Sequence, residues 1–270
     1  MKKLLNYLAL LVAFVYVSCQ KERLSGQKST EEIASSISKP VSNTFYGPQV
    51  QLGDGHLRSW IRLSPENVPE ELGIEMTSGV LENLPPTLTE SLIPLHHKAK
   101  ELTPYDNIVF NTRANPPPVG FVTVPHFNTH FYMISEEEQM SMPAPSPANT
   151  SLSSSAAYGR PPAGVLPADY TIPGPTFGGR HWLDKNGSLV STANNTLSHE
   201  FMYGTFDGKV IFLEPIVSMQ FLLSGTEVHK AIKQPLIFDP INTYYPTQYN
   251  IYTDSKTGRI YVSLSEFVWK

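Results

Sequence analysis

Cysteine is nearly absent from this chain: one residue, Cys19, in 270. A framework of internal disulfides and any metal site built from several thiolates are therefore excluded. An excess of one charge is missing as well. Twenty Lys and Arg face 24 Asp and Glu, a net charge of −4, and the isoelectric point near 6.1 leaves no basic field for nucleic acid. Beyond the first residues no apolar run is long enough to cross a bilayer. There is no glycine-rich phosphate loop, and the many serines lie in loops without nucleophile-elbow spacing. Glu136, Glu137 and Glu138 are neighbours on one helix start, so they do not converge as an acid–base pair.

The N-terminus carries an address. Lys2 and Lys3 precede an almost wholly apolar stretch from Leu4 to Val17, interrupted by Asn6. It is short for a membrane span and has the charged-then-apolar order of a signal peptide. Val17-Ser18-Cys19 resembles the lipobox of bacterial lipoproteins, with Tyr16 where Leu is usual. The resemblance implies cleavage before Cys19, a diacylglyceryl thioether on its sulfur and an acylated new N-terminus. Several acyl chains together anchor stably where one would be marginal. Residues 1–18 are thus expected as signal peptide and 19–45 as a lipidated flexible tether, too polar to fold. The charges at Lys21-Glu22-Arg23 resemble surface-export signals of some Gram-negative lipoproteins. The expected location is the cell envelope, at the outer membrane and facing outward.

Residues 46–270 are expected to form one mainly β domain, an antiparallel barrel or sandwich with a few short helices. Hydrophobic residues at 40% and aromatics at 11% supply a core, while 24 prolines and 17 glycines impose many turns. Strands are expected over His56–Leu63, Leu72–Met76, Asp106–Asn111, Tyr249–Tyr252 and Ile260–Leu264. A helix is expected over 87–102, capped by Thr87 with Glu90 three residues on, and with Leu88, Leu92, Leu95 and Ala99 at helical spacing. His96 and His97 point about 100° apart on such a helix and would not share a metal. Ser135 reads as a capping box with Glu138, and 141–169 as a long loop of Ser, Ala and Pro. A further short helix is expected from Ile216 to Leu223.

The chemistry concentrates in Val124-Pro125-His126-Phe127-Asn128-Thr129-His130-Phe131-Tyr132-Met133. Its residue types favour a strand. His126, Asn128 and His130 then share one face, and Phe127, Thr129 and Phe131 the other. Residues four apart in a strand are separated by about 13 Å, so one of the two histidines is the better ligand and the other supports or packs. Two more clusters look built to meet this strand. The glycine turn at Gly178-Gly179 delivers His181 and Trp182, and Asp207-Gly208 signals a hairpin with His199 and Glu214 at the far ends of its arms. Antiparallel pairing would set those two side by side. The candidate metal ligands are therefore His126, His130, His181, His199 and Glu214, with Asn128, Tyr132, Trp182 and Tyr203 lining a pocket. Imidazole and carboxylate donors suit zinc, iron or manganese.

The central strand, the Gly179-Arg180-His181-Trp182 turn, and His199-Glu200-Phe201-Met202-Tyr203-Gly204 with Phe206-Asp207-Gly208-Lys209 and Glu214-Pro215 resemble one bacterial family. It is a domain of unknown function found in secreted proteins and lipoproteins, with members in Thermus. The resemblance spans roughly 50–265 and implies export and a shared fold, with no established activity. Members often carry Asp where this chain has Asn128, and a Gly-His-x-Pro turn where it has Ala114-Asn115-Pro116.

Three function classes follow. In the first, a surface lipoprotein binds a ligand or partner, without catalysis, through its His- and aromatic-lined face. In the second, a metal-dependent enzyme uses the His and Glu ligands with an open position for water or substrate. In the third, the same residues merely pack in a structural homo-oligomer.

Overall fold

Alternation of apolar and polar residues along short strands produces two antiparallel sheets of seven strands each in the computed structural model, which describes residues 43–118, 121–191 and 197–270. The first sheet contains β1 (Asn43–Tyr46), β2 (Val50–Leu52), β3 (Gly55–Leu63), β4 (Pro69–Met76), β12 (Val228–Ala231), β13 (Tyr244–Thr253) and β14 (Ile260–Trp269). Its order is β1-β3-β4-β14-β13-β12, with β2 paired to β3. The second contains β5 (Thr89–Pro94), β6 (Asn107–Arg113), β7 (His126–Tyr132), β8 (Tyr170–Pro173), β9 (Arg180–Asp184), β10 (His199–Phe206) and β11 (Lys209–Ser218), in the order β5-β6-β7-β11-β10-β9-β8. Four short helices, α1 (His97–Leu102), α2 (Glu136–Ser141), α3 (Ser188–Ser191) and α4 (Met219–Leu223), decorate the sheets.

The sheets stack as a sandwich, and neither closes into a barrel among the described residues. One apolar cluster fills the space between them. Leu57, Ile61, Ile74 and Val262 from the first sheet meet Phe110, Phe127, Phe131, Trp182 and Phe201 from the second. Each such side chain contributes roughly 1.5–3 kcal/mol on burial. Because side chains alternate, every residue of the second sheet next in sequence to a core residue points to the outer face. That rule decides which functional side chains can meet.

Three expectations need correction. The stretch 87–102 is not one helix. Thr89–Pro94 is an edge strand laddered to β6 from Thr89↔Thr112 to Pro94↔Asn107, and only His97–Leu102 is helical, capped by His96, whose Nδ1 accepts from the Lys98 N–H at 3.2 Å. Pro94 explains this, since it would break a helix interior but is tolerated in an edge strand. Ile216 and Val217 extend β11 instead of opening a helix, and α4 begins only after Ser218, whose hydroxyl accepts from Phe221 N–H. Finally, Asn43–Phe45, assigned to the tether by composition, pairs with Ile61–Leu63 of β3. Cys19 and the remainder of the tether lie outside the described residues.

The Ser135 capping box is present, with both reciprocal bonds. Between α2 and β8 the chain has no regular element, yet it is pinned. Tyr158 is buried and donates to Pro143 O at 2.7 Å, and the Arg180 guanidinium donates to the carbonyls of Thr150, Tyr158 and Gly174.

Candidate metal centre

The outer face of the second sheet carries the chemistry. On β7, Phe127, Thr129 and Phe131 face the core, so His126, Asn128 and His130 face outward, as the alternation predicts. The neighbouring strand β11 delivers Glu214, and a bulge decides on which face. Asp207 and Gly208 form the tight turn, with φ of 47° and 78°. The pairing then slips between Gly204↔Phe212 and Thr205↔Val210, leaving Ile211 extra. Beyond the slip Glu214 stands opposite Met202, and His199 opposite Val217. An extra residue in one arm reverses which of its side chains face inward. Glu214 therefore points outward, while His199 points toward the first sheet.

His181 arrives on β9, opposite Gly204. Gly178 and Gly179 precede it with φ of 65° and 132°, a conformation glycine adopts without steric cost. The turn folds back so that both the backbone N–H and Nδ1 of His181 donate to Pro175 O, at 2.9 and 3.0 Å. A carbonyl can only accept, so Nε2 of His181 is left facing the other donors.

Three side chains then converge. His130 Nε2 lies 3.4 Å from Glu214 Oε1, His181 Nε2 lies 3.2 Å from Glu214 Oε2, and the two Nε2 atoms are 3.4 Å apart. Among the described residues His130, His181 and Glu214 form the one group with metal-binding spacing, all donor atoms lying within 4.8 Å. Ligand atoms held tetrahedrally at about 2.0–2.1 Å from a zinc ion are about 3.3 Å from one another; the two imidazole nitrogens have that separation, and each has its own Glu214 oxygen at a similar distance. Phe212 packs edge-on against both imidazoles, with centroids 4.9 and 5.0 Å away. Tyr132 stacks on His130 at 5.7 Å and donates to Gly178 O at 2.9 Å. Asn128 donates to Glu214 Oε1 at 2.5 Å.

No family model, curated protein or solved structure matches this chain.

The electrostatics follow from burial and proximity. Burial works against the charge of Glu214, but the facing imidazoles and the Asn128 amide hold its pKa down to about 2. Burial lowers His130, reinforced by His181 and opposed by Glu214. At His181 burial also opposes charge, yet Glu214 and the backbone of Pro175 and Gly179 together raise its pKa. The arrangement is a carboxylate and two imidazole nitrogens around one point, which requires a positive species there, either a proton on His181 or a cation.

His130 and His181 open onto a cleft of about 280 Å³, while Glu214 is fully buried behind them. His126 also lines the cleft, its Nδ1 donating to Val124 O at 2.6 Å, but it is outside the converging group. Four expected site residues thus fall into place at or beside the centre: His130, His181, Glu214 and Asn128. Tyr132 supports His130 from the side.

Three do not belong. Trp182 and Tyr203 pair with each other across β9 and β10 and lie in the core, because each is one residue away from an outward side chain. His199 instead meets Tyr249 of the first sheet, Nδ1 to Oη at 3.0 Å. Sequence reasoning missed Pro175, whose carbonyl fixes the His181 ring, and Arg113, Phe121 and Phe177 on the cleft wall. The Pro-Gly-Pro run before His181 was the available signal for Pro175, and Arg113 is two residues past the expected strand end.

Proposed function

We propose that this domain binds a divalent cation, zinc, iron(II) or manganese(II), at His130, His181 and Glu214, and uses it to hold a small ligand in the adjoining cleft. The observation that carries the reading is the convergence of His130 Nε2, His181 Nε2 and the Glu214 carboxylate: the two nitrogens are 3.4 Å apart and each lies 3.2–3.4 Å from a different oxygen of Glu214. Two imidazoles and one carboxylate leave further positions of the cation open, and His130 and His181 turn that side toward the cleft. The chain would act in the cell envelope, anchored through Cys19, as a member of the secreted and lipoprotein family its motifs resemble.

One observation favours a second reading. The raised His181 and lowered Glu214 would also suit an imidazolium–carboxylate pair that closes the centre without metal. Elemental analysis separates the two. Protein purified without a His tag, then exposed to each cation and desalted, should retain one metal per chain. His181→Ala and Glu214→Gln should retain none, and His199→Ala should behave as wild type. Wild-type protein that takes up none of the three cations sinks the metal reading and leaves the ion pair.

A further inference from the structure

The cleft has a second end. Arg113, the last residue of β6, stands opposite His126 and lines the same cleft as His130 and His181. It is half-buried, and among the described residues it makes neither an ion pair nor a side-chain hydrogen bond. The other described arginines are all engaged. Arg58 and Arg259 share Glu75, and Arg62 binds Glu70 and Glu71. Arg180 is held by three carbonyls, while Arg160 donates to Thr171 O and lies over the Trp182 ring. Partial removal of a guanidinium from water without a partner is unfavourable, and a planar guanidinium is well matched to two oxygens of one anion.

The rest of the lining completes the picture. No Asp or Glu is among the cleft-lining residues, and Leu88, Phe121, Val122, Phe177, Met202 and Ile216 make its walls largely apolar. The row of Arg113 and His126 is four residues along the strands from the row of Val109 and His130, about 13 Å at roughly 3.3 Å per residue. The long arginine side chain can close part of that distance.

We infer that Arg113 anchors the carboxylate of a small organic acid whose apolar body lies along the cleft toward the His130–His181–Glu214 centre. A monoanion suits a single guanidinium better than a phosphate dianion does. The inference rests on the proposed metal site only for what the far end of the ligand meets.

The test uses the full chain, metal-free and zinc-loaded, with hexanoate, its neutral counterpart hexanamide, and hexyl phosphate, by calorimetry. Hexanoate should bind in both forms, at least about tenfold tighter than hexanamide. Arg113→Gln should remove that preference without changing zinc stoichiometry or the melting transition, and Arg113→Lys should keep part of it. Equal binding of acid and amide, or an Arg113→Gln protein that still prefers the acid, overturns the inference. Hexyl phosphate binding tighter than hexanoate overturns the carboxylate assignment. The two proposals fail separately. A chain that takes no zinc but shows an Arg113-dependent preference for the acid loses only the metal reading. A chain that takes zinc but does not distinguish acid from amide loses only the anchor.

Discussion

Glu214 has no exposed surface, and a buried carboxylate is costly unless its neighbours compensate it. Asn128 does this with its amide N–H on Oε1. Asn128→Asp would set acceptor against acceptor. The metal-free variant should lose about 1–3 kcal/mol of stability, the cost of an unsatisfied buried polar group, and added zinc should restore most of it. Urea melts with and without zinc would show this, and a variant as stable as wild type without metal would contradict it. At this scale the sequence was partly legible. Imidazoles and a carboxylate at His130, His181 and Glu214 named the chemistry, and the period of two put His126 and His130 on one face. Which of that pair serves depends on where β9 and β11 lie, and nothing local to β7 records it.

A single extra residue in a hairpin arm governs the site at the scale of elements. A straight ladder from the Asp207-Gly208 turn would put Glu214 on the same face as His199, which is how the sequence reads. Ile211 reverses the arm, and a bulge of this kind leaves no composition signal. Its packing requires Gly204, because a Cβ there would come within 2.1 Å of the Phe212 ring. Gly204→Ala should therefore displace Phe212, which touches both imidazoles. The expected cost is about 1–3 kcal/mol from overpacking, with weaker zinc binding in the folded protein. Chemical denaturation with a zinc titration would show both, and unaltered zinc affinity would separate the bulge from the site. The helix expected over 87–102 gives way for a different reason. Leucine spacing argued for a helix, and Pro94 with a waiting partner strand overrode it.

For the whole molecule, composition was enough to indicate a mainly β domain, and the choice between barrel and sandwich was settled only by strand pairings distant in sequence. The site lies on an outer face of one sheet, so it can be altered without emptying the core between the sheets. Under the proposed lipidation, Cys19→Ala should abolish incorporation of labelled palmitate, with zinc uptake unchanged. A variant that still carries the label would show that Cys19 is not the lipidated residue.

The strand order has a consequence in time as well as in space. β5-β6-β7 and β8-β9-β10 are two meanders, each built from neighbours in sequence, and β11 is inserted between β7 and β10. His130 lies on the first meander, His181 on the second, and Glu214 on the strand that joins them. As the chain is made from its N-terminus, both imidazoles emerge before the carboxylate. The donor set becomes complete only when the longest-range pairing of that sheet forms, a step that pays its loop-closure entropy late. A chain shortened before residue 214 lacks the carboxylate, so a complete donor set is the mark of a finished sheet.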